Sequence, residues 1–244
     1  MISYRKLAMR VLGHSPVSAV KTARRSTGKR AAALALTAAL VVGMTLPAFA
    51  ETWFIEDGDI SISAGTSGNH VEQGEKKQDE TTETIITNRE STASSHTVTI
   101  HANEGETVDV TLENVNIDAS SGAAVSVTGK GDTNIELNGN NTLTSRDWHA
   151  GLEHNKTNDS GTLTITDNNN DGKLTAKATG DYGAGIGGGS GNNGQVTITG
   201  GEITANGGSQ GAGIGGGSGN KRAVGGDGDV TISGGTITAT GGSE

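Results

Sequence analysis

Residues 51–244 predict an all-β fold, a three-sided parallel β-helix, and three observations carry that prediction. First, residues 183–191 read GAGIGGGSG and residues 211–219 repeat the string letter for letter, while VTITGGEITANGGSQ (196–210) is matched by VTISGGTITATGGSE (230–244). Repetition at a period of a few tens of residues marks a solenoid, in which each unit buries its apolar row against the next. Second, apolar and polar residues alternate within the copies, as in Val196-Thr197-Ile198-Thr199, the pattern of a strand with one face buried. Third, 40 of the 244 residues are Gly and only 2% are aromatic. So few bulky side chains cannot fill a wide globular interior, whereas Val, Ile, Leu and Ala fill a narrow one.

The first fifty residues stand apart from the fold. Residues 1–30 carry eight basic residues (Arg5, Lys6, Arg10, Lys21, Arg24, Arg25, Lys29, Arg30) and no Asp or Glu. An apolar run from Ala31 to Leu46 follows, then Ala48-Phe49-Ala50 before Glu51. A basic stretch, a short apolar stretch and an A-x-A site describe a helical secretory signal peptide over 1–50. The apolar run is short for a membrane span, so no membrane insertion is expected after cleavage. Removing eight of the 18 basic residues leaves 10 against 27 acidic ones, a net charge of −17 for residues 51–244. That surface repels nucleic acid and anionic membranes, because no basic patch is available to neutralise phosphates. With no cysteine in the chain, an exported protein must hold together by backbone ladders or metal ions rather than disulfides.

Residues 51–109 contain short apolar runs (Ile60-Ser61-Ile62, Ile85-Ile86-Thr87, Thr97-Val98-Thr99-Ile100) and read as an N-terminal cap with irregular first rungs. The polar stretch 68–84 within them reads as a loop or insertion without a hydrophobic pattern. Residues 110–244 form the regular rungs. Five copies begin at Val110, Ile135, Leu163, Val196 and Val230, spaced 25, 28, 33 and 34 residues apart. Each full copy holds three short strand segments separated by glycine corners, where Gly supplies positive φ at no steric cost. Val196, Ile198, Ile203 and Ile214 are expected inside, stacked on Leu163, Ile165, Leu174, Ile186, Val230, Ile232 and Ile237. Thr197, Thr204, Thr231 and Thr238 are expected outside as threonine ladders. The fifth copy stops at Glu244 where earlier copies run on into GAGIGGG, so the sequence reads as truncated in mid-rung, with any cell-wall anchor lying downstream.

The segments WFIEDGDISISAG (53–65), VTLENVNIDAS (110–120), NTLTSRDWHAGLEHN (141–155), LTIT (163–166) and the two GAGIGGGSG copies together resemble secreted repeat proteins of gut clostridia and related Gram-positive bacteria, described as carbohydrate-binding domain-containing proteins. The resemblance covers most of residues 51–244. It implies a right-handed parallel β-helix on the cell surface, with glycan binding or adhesion as the role. It carries no individual binding residues across.

Three constellations could carry chemistry. Gly183–Gly188 and Gly211–Gly216 formally contain G-x-G-x-x-G, but a dinucleotide fingerprint needs a following helix to face the pyrophosphate. Here more glycine and a strand follow, which reads as a structural rung. Asp167-Asn168-Asn169-Asn170-Asp171-Gly172 matches the first half of a calcium loop, with Asp167, Asn169 and Asp171 as oxygen donors. Position twelve is Ala178 instead of Glu, so an EF-hand is excluded. A calcium-stabilised turn completed by a neighbouring rung and a plain Asx-rich corner both fit the pattern.

The third constellation is Arg146, Trp148, His149, Glu153 and His154, which gathers one of the two Trp and two of the six His into nine residues. An aromatic ring that stacks on a sugar, with Arg, His and Glu to hydrogen-bond its hydroxyls, describes a glycan site; a polar corner loop explains the same residues without a ligand. No convergent acid/base pair, G-x-S-x-G elbow or H-E-x-x-H helix stands out. The expectation is therefore a binding or adhesive module for a polysaccharide or a host or cell-wall glycan, not an enzyme. A passive stalk and a β-helix polysaccharide lyase or hydrolase are the competing readings. The threonine rows are too short and interrupted to organise ice.

Overall fold

The structure is a computed structural model that describes residues 51–65, 68–80, 84–219 and 224–243; the signal peptide expected over 1–50 lies outside the described residues. The first coil comprises β1 (Thr52–Phe54), a 3-10 turn (Ile55–Asp57) and β2 (Ile60–Gly65), followed by β3 (Gly68–Gln73) and β4 (Lys76–Glu80). The second holds β5 (Thr84–Thr87) and β6 (Val98–Ala102). Four regular coils then run β7 (Thr107–Glu113), β8 (Asn116–Asp118), β9 (Val125–Gly129); β10 (Asp132–Asn138), β11 (Asn140–Ser145), β12 (Leu152–Lys156); β13 (Leu163–Thr166), β14 (Lys173–Ala178), β15 (Ile186–Gly187); and β16 (Asn193–Ile198), β17 (Glu202–Asn206), β18 (Ile214–Gly215). β19 (Gly228–Ile232) and β20 (Thr236–Thr240) begin a seventh.

Hydrogen bonding sorts these strands into three faces. The first face runs β1-β5-β7-β10-β13-β16-β19, the second β8-β11-β14-β17-β20, and the third β2-β6-β9-β12-β15-β18. Within each face every neighbouring pair is parallel, and in the second coil a single bridge, Ser94 to Ile117, stands in for a strand of the second face. A short antiparallel contact between the end of β12 and the start of β16 (Asn155 with Gly194, Lys156 with Asn193) ties the third face to the first. The chain is thus the three-sided parallel solenoid that its alternation predicts.

Register stacks the inward residues into continuous rows. Val110, Ile135, Ile165 and Ile198 follow one another up the first face, all at most 1% exposed. Leu174, Ile203 and Ile237 do so on the second face, and Val98, Val125, Leu152 and Ile186 on the third. Val230 and Ile232 continue the first-face rows but stay 37% and 51% exposed, since no described strand lies beyond β19. The outward threonines form the expected ladders, Thr164-Thr197-Thr231 and Thr142-Thr175-Thr204-Thr238.

Two sequence expectations are corrected. Ile135 pairs with Ile165, and Leu163 pairs with Thr133, so equivalent positions are 25, 30, 33 and 34 residues apart rather than 25, 28, 33 and 34. The two-residue slip preserves the inward face because side chains alternate with period two. It was hidden because Thr133 is fully buried in a row of aliphatic residues, its hydroxyl without a hydrogen-bond partner. The second correction concerns residues 68–84. Instead of a loop they supply an antiparallel hairpin, β3 and β4, which extends the third face beyond β2. Its buried positions are mostly amides, which hid the pattern. Asn69 donates to Thr84 Oγ1 at 2.8 Å and to the Asp109 carbonyl at 2.7 Å, and Gln73 donates to the Phe54 and Gly58 carbonyls at 2.7 and 2.9 Å. β4 carries Lys76, Lys77 and Asp79 along an open edge, the device by which native edges resist pairing with another chain.

Candidate functional site

The segment 146–151 is the corner between β11 on the second face and β12 on the third. Register aligns its HAGLEHN (149–155) with the GAGIGGG strings above it, since Leu152 pairs with Ile186 and Ile186 with Ile214. The corner is therefore one copy of the glycine repeat in which side chains replace four glycines, with His149, Glu153, His154 and Asn155 in the places of Gly183, Gly187, Gly188 and Gly189. Period-two alternation then decides where each residue points.

His154 enters the core. It follows Ile62, Ile100 and Val127 in one inward row and is only 2% exposed. Its Nδ1 lies 2.9 Å from the Gln195 carbonyl, which makes Nδ1 the donor. Burial pushes its pKa below the usual histidine value, outweighing that hydrogen bond, while nearby Lys156 pushes the same way. Glu153 is also enclosed, at 5% exposure. Its Oε2 accepts from the Ala150 amide at 3.0 Å and lies 2.9 Å from His149 Nδ1, and its Oε1 accepts from Asn155 Nδ2 at 2.9 Å. A glycine stands above it at 189 because a Cβ there would lie 2.7 Å from Glu153 Oε2. Neither His154 nor Glu153 offers a surface contact; both hold the corner from inside.

The remaining three are at the surface. Arg146 is tied down, its Nη2 2.9 Å from both oxygens of Asp118 and its Nε donating to the Ala119 carbonyl at 3.2 Å. His149 is half exposed. Trp148 is 60% exposed, its carbonyl accepting from the Ser190 amide at 2.7 Å. The ring meets Tyr182 of the next coil edge-on, centroids 6.4 Å apart and planes at 63°. Tyr182 was missed in the sequence, although it occupies the same place before GAG that Trp148 occupies before HAG. Of the four aromatic residues within 51–244 (Trp53, Phe54, Trp148, Tyr182), two thus converge at one corner.

Asp167, Asn169 and Asp171 lie on the corner between the first and second faces. Asn169 Nδ2 donates to Asn138 Oδ1 at 2.9 Å, Asn169 Oδ1 accepts from the Asp171 amide, and Asp171 Oδ1 accepts from the Gly139 amide, both at 3.3 Å. Asn170 adopts φ +63°, a left-handed turn that Asn tolerates. Asn169 Oδ1 and Asp171 Oδ1 are thereby engaged by the chain, as in an Asx-rich corner, and Asp167 Oδ1 is buried without a partner. Among the described residues no group of three or more His, Cys, Asp or Glu side chains converges as metal ligands. The two G-x-G-x-x-G strings form β15 and β18 within the third face, without the helix that a phosphate site requires.

A family model described as a β-helix repeat matches residues 170–190, 196–218 and 230–243, stretches that fall in the last three coils of the solenoid. The match agrees with the three parallel faces, which define a parallel β-helix fold built of repeats. Neither a curated protein nor a solved structure is matched. Among the described residues no helix is long and apolar enough to cross a membrane.

The buried, neutral His154 sets a pH dependence. Its folded pKa lies below the ordinary 6.5 while the unfolded chain keeps the ordinary value. The unfolded state therefore binds more protons just below pH 6.5, so stability is full above that value and is lost as pH falls toward the folded pKa. Urea midpoints compared at pH 7.5 and 5.5 should drop more in wild type than in His154→Gln. Equal drops would place the acid sensitivity elsewhere.

Proposed function

We propose that this β-helix repeat protein is a secreted or cell-surface glycan-binding module, a binder rather than a catalyst, which takes a polysaccharide or a host or cell-wall glycan at the 146–151 corner. The observation that carries the reading is the exposed Trp148 set edge-on against Tyr182. Two rings at a steep angle form an open notch, one wall to stack on the apolar face of a sugar ring and the other to bound its edge. An exposed Trp costs solubility and contributes little to the core, so its presence in a chain this poor in aromatics favours a contact with something outside. The half-exposed His149, its Nδ1 against the enclosed Glu153 carboxylate, stands beside the notch to hydrogen-bond a hydroxyl. The net charge of −17 over residues 51–244 and the resemblance to clostridial surface proteins support an extracellular setting.

Trp148→Ala is expected to weaken retention on the best-binding polysaccharide of a neutral panel about tenfold, equivalent to about 1.4 kcal/mol. The melting temperature should not move, because the side chain is mostly in solvent. Affinity gel electrophoresis and thermal unfolding of the same variant check both halves; undiminished binding removes Trp148 from the site.

A further inference from the structure

We infer that the first face carries a second glycan site, a polar groove across three successive coils that takes a neutral, hydroxyl-rich chain. The groove has a volume of about 740 Å³ and is lined by Asp109 of β7, Asn134, Glu136 and Asn138 of β10, Asn168 beyond β13, and Asn69 of the hairpin. It lies on a different face from the Trp148 corner and does not depend on it.

What an ordinary outward row looks like is set by the same face higher up, where Thr164, Thr197 and Thr231 succeed one another in register. Lower down, the same row reads Asp109 and Asn134, and the next outward position of β10 is Glu136. Threonine is what a solvated strand face favours. Asp and Asn are disfavoured there, and at these coils they replace it together. The hairpin raises one wall: Asn69 donates to the Asp109 carbonyl at 2.7 Å, which clamps β3 against the groove floor.

The polar groups are pre-set. Asn134 Nδ2 donates to Asp109 Oδ1 at 2.8 Å, and Glu136 is held by the Asn168 amide at 2.6 Å and Asn168 Nδ2 at 2.8 Å. Asn138 Oδ1 accepts from Asn169. Among the described residues this leaves Asp109 Oδ2 and Asn134 Oδ1 as open acceptors and Asn138 Nδ2 as an open donor, all on a rigid parallel sheet. Groups held by one bond with a second valence facing outward lose little freedom on binding. Neighbouring strands of a sheet stand ~4.8 Å apart, close to the length of one pyranose unit, so a glycan laid along the solenoid axis meets one row of groups per sugar. Two carboxylates and, among the described residues, no lining cation repel uronic acids and phosphorylated ligands, which selects a neutral chain.

The test is affinity electrophoresis of the purified chain in gels containing soluble xylan, β-glucan or galactomannan, with polygalacturonate as the anionic control. Trp148→Ala removes the corner and is expected to retain measurable binding to a neutral glycan. Adding Asp109→Thr and Asn134→Thr, which rebuild the threonine row found above and so keep the fold, should weaken that residual binding at least tenfold with an unchanged circular dichroism spectrum. Absence of residual binding in Trp148→Ala overturns the groove while leaving the corner standing. Residual binding that survives the threonine substitutions, or a preference for polygalacturonate, also overturns it. Full binding in Trp148→Ala that the threonine substitutions abolish supports the groove and removes the corner.

Discussion

Gly187→Ala should lower stability by about 3–5 kcal/mol, the sum of backbone strain and overpacking, and the melting temperature by roughly 10 °C. Gly187 lies in β15 between Glu153 below and Gly215 above. Its φ of +125° is one that residues with a Cβ rarely adopt, and a Cβ added there would stand 2.1 Å from the Gly215 carbonyl oxygen. Backbone blocks that space, so no side chain can rotate away to make room. Gly191→Ala separates the two causes. Its φ is +70°, and the nearest heavy atom to an added Cβ is the Val224 carbonyl oxygen at 3.9 Å. That substitution bears conformational strain alone and should cost about 1 kcal/mol. Thermal unfolding followed by far-ultraviolet circular dichroism compares them, and equal losses would show that close stacking of the third face is not what Gly187 serves. The repeated GAGIGGG is, on this account, a requirement of coil-on-coil approach.

Trp53→Ala should cost about 3–5 kcal/mol, as for other fully buried large aromatics. Trp53 is 0% exposed, pairs in register with Ile86 of the second coil and has Lys76 Nζ 3.9 Å above its ring centroid. It is the largest side chain in a mostly aliphatic core, and it fills the first coil where the aliphatic rows begin. In a solenoid each coil leans on its neighbours, so the loss should be felt first in the coils nearest the cavity. Hydrogen exchange should therefore rise in β1, β5 and β6 before β16 and β17, alongside a lower urea midpoint. Uniform acceleration along the whole chain would mean that the solenoid unfolds as one unit. Trp53→Phe, which keeps an aromatic ring but not the volume, should lose about 1–2 kcal/mol.

Most of the fold was legible because the signals are local. Alternation in Val196–Thr199, paired glycines at 200–201 and 207–208, and a string repeated letter for letter each depend on a few neighbouring residues. The hairpin at 68–80 escaped because Asn69 and Gln73 take buried positions by donating to carbonyls of Phe54, Gly58 and Asp109, partners that are 15 to 40 residues away. The slipped register at Leu163 escaped because Thr133 is polar, whereas its inward place is set by the strands on either side.

The candidate site divides in the same way. Composition alone pointed at Trp148 and its neighbours, since rare residue types cluster there. It could not tell that Leu152, being inward, forces His154 inward two residues later, nor that Glu153 is closed over by its own corner. Tyr182 and the Asp109–Asn134 row gain meaning only when coils are stacked, because each is a single ordinary residue until the next coil brings it beside its partner. By itself, then, the sequence determined that this chain is a stack of short parallel strands around a narrow aliphatic core, because period-two alternation and glycine corners are written within each copy. Which residues become neighbours between copies was decided by the tertiary structure, because register between coils is set by packing across some thirty residues of intervening chain.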